Sequence, residues 1–135
     1  MNVVAAIVLC VAAVAASTAE LGAAFRVLRQ QPGHFSGGAW SDDVDRWGGR
    51  KHQVMTALAE ALGDGKHTRA EVVAVMGEPD HVLTPRDPMF RQAYDGDDRR
   101  VRELVVYEWR GMHDFLFFTS DGQNVFGADW WMALE

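Results

Sequence analysis

Thr68-Arg69-Ala70-Glu71-Val72-Val73-Ala74-Val75-Met76-Gly77-Glu78-Pro79 carries the start, the body and the end of one short helix. Thr68 is a residue that accepts a hydrogen bond from an otherwise unpaired N–H in the first helical turn. Glu71, three positions on, completes the S/T-x-x-E capping box. Val72, Val73, Val75 and Met76 supply an apolar face. Gly77 suits the backbone at a helix C-terminus, and Pro79 prevents continuation.

Upstream, Arg50 to Leu62 places Val54, Ala57, Leu58, Ala61 and Leu62 on one stripe at helical period, and Gly63-Asp64-Gly65 stops it. Downstream the period changes. His81 to Thr84, Val101 to Arg110, Phe115 to Thr119 and Gln123 to Met132 are rich in β-branched and aromatic residues, which favours strands. Gly111-Met112-His113 and Ser120-Asp121-Gly122 are short turns, so consecutive strands run antiparallel. Arg86 to Arg100, with Pro88 and Asp95-Gly96-Asp97-Asp98, reads as a polar loop. The fold predicted for residues 50–135 is α+β, two helices packed on a three- to four-stranded antiparallel meander with one sheet face open. In the last strand Phe126, Ala128, Trp130 and Met132 are expected on one face, with Val125, Gly127, Asp129 and Trp131 on the other.

The chain has no charged residue from Val3 to Ala19, about the shortest run that could cross a bilayer. Residues 1–31 are therefore expected to form an N-terminal hydrophobic helix contacting the membrane through residues 3–25. Arg26 and Arg29 follow the apolar run with no Lys or Arg before it, so an uncleaved single-pass anchor is the favoured reading. Ser17-Thr18-Ala19 offers a small-x-small site for the alternative, a cleaved secretory signal. A lipoprotein signal at Cys10 fits poorly because Leu9 is not small, and an Ala-rich helix within a soluble protein is the plain alternative. Residues 32–49 read as a linker rich in Gly, followed by a segment bearing Trp40 and Trp47 that either covers the domain as a lid or forms a recognition patch.

Composition narrows the partners. A net charge of -6 argues against nucleic acid, whose phosphates require a basic face. The single cysteine excludes an intrachain disulfide, and no CxxC pair exists to hold zinc.

The T-x-x-E-V helix start at Thr68, the Met76-Gly77-Glu78-Pro79 turn, the Tyr107 strand and the Phe117 to Val125 hairpin with Asp121-Gly122 together resemble the SmpA/OmlA (BamE-like) domain. The resemblance covers roughly residues 50 to 132. It implies a β-lactamase-inhibitor-protein-like fold and binding to other proteins in the bacterial cell envelope. The chain departs from that pattern in Met76 where Leu is usual, in its long Arg86 to Arg100 loop and in its poor lipobox.

Motifs for chemistry are missing. His34, His52, His67, His81 and His113 show no HxH or HxxxH spacing. Asp95 to Asp98 lacks the Gly and Glu of a calcium loop, with Arg100 and Val106 in those places. Ser36, Ser41 and Ser120 lack a nucleophile-elbow context, and the Gly37-Gly38 and Gly48-Gly49 pairs have no phosphate-loop spacing. No cofactor is expected. The leading expectation is a non-catalytic protein-interaction module, with Trp40, Trp47, Trp130, Trp131 and Phe126 as interface candidates. A ligand-binding domain with a cavity lined by Tyr107, Phe115 and Phe117 is the second. A hydrolase is the third, and it requires a histidine and a carboxylate within hydrogen-bond reach in one cleft.

Overall fold

A computed structural model describes residues 16–133. Residues 1–15, where the sequence places most of the membrane segment, lie outside the described residues. The described chain is α+β, with a four-stranded antiparallel sheet in the order β1-β2-β3-β4 and several helices. The strands are β1 (His81–Leu83), β2 (Glu103–Trp109), β3 (Gly111–Ser120) and β4 (Val125–Met132).

Two helices fall where their local signals put them. They are α3 (Arg50–Leu62) and α4 (Arg69–Met76). The Thr68 hydroxyl accepts the Glu71 N–H at 3.1 Å, and Gly77 has φ of 86°, a conformation that side chains with a Cβ rarely adopt. Together with a third helix, α1 (Thr18–Leu28), they cover one sheet face. Phe25, Leu28, Leu58, Val72 and Met76 meet Val105, Tyr107, Leu116 and Phe118 there.

Helix α1 lies within the residues expected as the N-terminal helix, and its Phe25 and Leu28 pack into the domain core. Its basic residues are also engaged. Arg26 donates to the carbonyls of Ala74 and Val75, and Arg29 donates to those of Met76 and Glu78 and to Asp80. The last carbonyls of α4 have no partners within their own helix, and two guanidinium groups satisfy them. Tyr107 closes the same corner by donating its hydroxyl to Gly77 O at 2.8 Å. Among the described residues, no helix is long and apolar enough to cross a membrane.

The second sheet face is covered rather than open. The stretch read as a polar loop folds into α5 (Pro88–Ala93), which buries Phe90 against Leu83, Leu104, Val106, Phe115 and Phe117. Pro88 occupies the first helical position, where its missing N–H costs nothing. Because β2 is buried on both faces, Leu104 to Tyr107 form an unbroken apolar run. Ser120 pairs with Val125 but Thr119 pairs with Gly127, so Phe126 is the extra residue of a β-bulge. The bulge corrects the expected faces of β4. Val125 joins Ala128 and Trp130 on the helix side, and Phe126 lies under the Arg100 guanidinium at 4.2 Å.

Candidate interaction surface

The end of the sheet where β2 turns into β3 gathers aromatic side chains from five parts of the chain. Its base is Trp109, whose indole N–H donates to Val44 O at 2.8 Å. That bond holds down residues 32–49, which are docked rather than free. Val44 and Asp45, in the short helix α2 (Asp42–Asp45), are both buried. Asp45 organises the segment, accepting the backbone N–H groups of His34 and Ser41 on Oδ2 at 2.9 and 2.8 Å. Its other oxygen, Oδ1, is buried without a partner.

Anchored in this way, the segment presents its tryptophans outward. Trp40 is 54% exposed and Trp47 64% exposed. Neither is loose. The Trp40 indole N–H donates to Asp42 Oδ1 at 2.9 Å, and the Trp47 ring lies 4.5 Å from His52 and 5.7 Å from Trp109. His52 sits among Trp47, Trp109 and Trp130, at 4.5, 4.5 and 5.4 Å between centroids. From Trp109 the stacking continues to the Arg110 guanidinium at 4.2 Å, which in turn lies 5.3 Å from Phe35. Phe35 touches His34, and His34 faces Trp40 at 6.5 Å. The result is one continuous band of π-surface running from Trp130 to Trp40.

Charge in the band is fixed by hydrogen bonds. Arg110 is paired with Asp114 Oδ2 at 2.6 Å, and its Nη1 reaches Asp45 O at 3.4 Å. Lys51 is buried beneath the band and donates to Trp109 O at 2.9 Å. Burial holds its ammonium below the ordinary lysine range, with Asp80 and Glu108 partly opposing that shift. His52 is also held below the usual histidine range, first by burial and then by the Arg110 charge. Its Nδ1 accepts the Gly48 N–H at 3.2 Å, so the neutral ring carries its proton on Nε2.

Of the five interface candidates, the structure brings Trp47 and Trp130 into this cluster and links Trp40 to it through His34 and Phe35. Trp131 points to the opposite sheet face, against the α5 side of the core, and Phe126 is distant in the bulge. The sequence reading missed Trp109, Arg110, His52 and Phe35. The contacts that join them, such as His52 with Trp109 and Phe35 with Arg110, link positions far apart in sequence, and no local spacing announces the cluster.

The sites considered for chemistry are dispersed. His67 pairs with Asp64 at 2.9 Å and His81 with Glu108 at 3.0 Å, both toward solvent, and neither pair lines the larger surface cavities. Tyr107 packs on the helix side of the sheet and Phe115 and Phe117 on the other, so the three share no cavity. A groove of about 610 Å³ lies elsewhere, between α4 and the β3–β4 turn, with Ala70, Val73 and Gln123 among its lining. Among the described residues, no three His, Cys, Asp or Glu side chains are grouped to hold a metal ion. No family model, curated protein or solved structure matches the chain.

Proposed function

We propose that this chain is a non-catalytic protein-interaction module, held at a membrane or in the bacterial cell envelope, that docks its partner on the aromatic band around Trp47 and Trp40. One observation carries the reading. Two tryptophans more than half exposed are each engaged, Trp40 by a hydrogen bond to Asp42 and Trp47 by ring contacts with His52 and with Trp109, which is itself buried. Exposed indoles cost solvation and are ordinarily buried. Rigid ones surrender little entropy on binding, which is why tryptophan is enriched among interface anchors.

The helix, helix and meander order adds the resemblance to envelope binding domains as a second support.

The test compares proteins retained by the wild-type chain with those retained by a W40A/W47A variant whose circular dichroism matches wild type. Loss of a specific partner with the variant is the expected result. Undiminished retention would place the interface elsewhere.

A further inference from the structure

Asp114 and Arg110 pair unevenly. Arg110 Nε and Nη2 both reach Asp114 Oδ2, each at 2.6 Å, although a guanidinium often grips a carboxylate through both oxygens. Asp114 is 2% exposed, and its Oδ1 has no hydrogen-bond partner among the described residues. A buried acceptor without a donor is destabilising, so a ligand N–H at this oxygen would relieve that penalty. Arg110 has capacity of its own. Its Nη1 reaches the Asp45 carbonyl at a long 3.4 Å, and a guanidinium has more N–H groups than these contacts use.

Both residues line one cavity of about 200 Å³, together with Phe35, His113 and Ala133. That is several times the ~30 Å³ share of one water molecule and smaller than the cavities that hold drug-sized ligands, so it suits a small group. The rings of Phe35 and His113, 5.2 Å between centroids, form an aromatic wall. The Asp114–Arg110 pair carries no net charge, so an added ion of either sign would meet a like charge. A neutral, planar group with an N–H donor beside a C=O acceptor meets all three features.

We propose that this cavity binds a primary carboxamide, which donates an N–H to Asp114 Oδ1 and accepts from the Arg110 guanidinium. Oδ1 is shielded, so binding includes a small turn of the Asp114 carboxylate while Arg110 keeps its hold on the group. Phe35 and Arg110 belong to the aromatic band. The carboxamide is therefore assigned to a glutamine or asparagine side chain of the partner, an assignment that rests on the docking function proposed for the band. A free small amide is the other source of the same chemistry.

The test titrates the nitrogen-15-labelled full chain with propionamide and follows the Arg110 Nε–H and the Phe35 and Asp114 amides by NMR. Saturable shifts at these positions are expected. Butanone has the same shape but no N–H, and it should bind at least about tenfold more weakly. Asp114→Asn can turn an amide N–H to where the bare acceptor stood and should abolish binding. Phe35→Ala, at a half-buried position, should weaken binding by removing the wall, and it serves if Asp114→Asn fails to fold. The source is read from N-acetylglutamine methylamide, with the leucine derivative as control. Tighter binding than propionamide assigns the group to a partner residue, and equal binding assigns it to a free amide. No saturable shift, or equal binding of butanone, overturns the proposal and leaves Oδ1 to a buried water. The W40A/W47A variant should bind propionamide like wild type, so the cavity and the docking surface can fail separately.

Discussion

Replacing Phe25 by alanine tests whether α1 belongs to the folded domain. Phe25 is 0% exposed, packs edge-on against Tyr107 at 5.8 Å and carries the Arg29 guanidinium 5.2 Å above its ring. Truncating a phenylalanine in such a site removes its transfer free energy and leaves a cavity, together costing about 3–5 kcal/mol. For a domain of this size each kcal/mol lowers Tm by about 3–6 °C. The drop should therefore be about 9–30 °C. Urea unfolding followed by circular dichroism reads the same loss as a lower midpoint at unchanged slope. Val27, two residues on and 62% exposed, is the control, and Val27→Ala should shift stability by no more than about 0.5 kcal/mol. A Phe25→Ala variant as stable as this control would refute the reasoning. It would return residues up to Phe25 to the apolar N-terminal segment.

Other perturbations test the aromatic end. Asp45→Ala removes two charge-assisted hydrogen bonds to the His34 and Ser41 N–H groups. It should cost about 2–4 kcal/mol and raise hydrogen exchange at those two amides in particular. Lys51→Met relieves the burial of an ammonium but leaves the Trp109 carbonyl without its donor, so it should cost no more than about 1–3 kcal/mol at pH 7. In the wild type the folded pKa of Lys51 lies below 10.5, so the unfolded chain holds the extra proton in that window. Stability should then rise with pH from the folded value up to 10.5, a slope that Lys51→Met removes in pH-dependent urea titrations. His52 works the same way at acid pH. Its folded pKa is below 6.5, so stability should fall as pH drops through 6.5 and level off below the folded value. His52→Phe should flatten that limb.

What could be read from the sequence tracks how local each determinant is. Helices α3 and α4 were legible to the residue because Gly63, Thr68, Gly77 and Pro79 punctuate them within a few positions. Residues 18–28 were expected as helix, but the start of α1 and its packing in the domain were hidden because its apolar residues continue an apolar run, which removes the contrast that periodicity needs. Helix α5 buries one large side chain, Phe90, within only six residues, too few for a periodic signal. The bulge at Phe126 shifts the alternation of β4 by one, and nothing in the strand's composition marks it. The aromatic band depends on pairs such as Trp109 with Val44, 65 residues apart. Trp40, Trp47 and Trp130 could be nominated as large apolar residues, but their base and their rigidity come from tertiary contacts.

The central claim is that the partner lies against Trp47. A photo-crosslinking amino acid placed at position 47 in the full chain tests it directly in cells, with the same group at Val82, an exposed residue of the edge strand β1, as reference. The account predicts one dominant crosslinked protein from position 47, absent from position 82 and lost when Trp40 is also changed to alanine. Equal crosslinking from both positions, or a dominant product from position 82 alone, would contradict it.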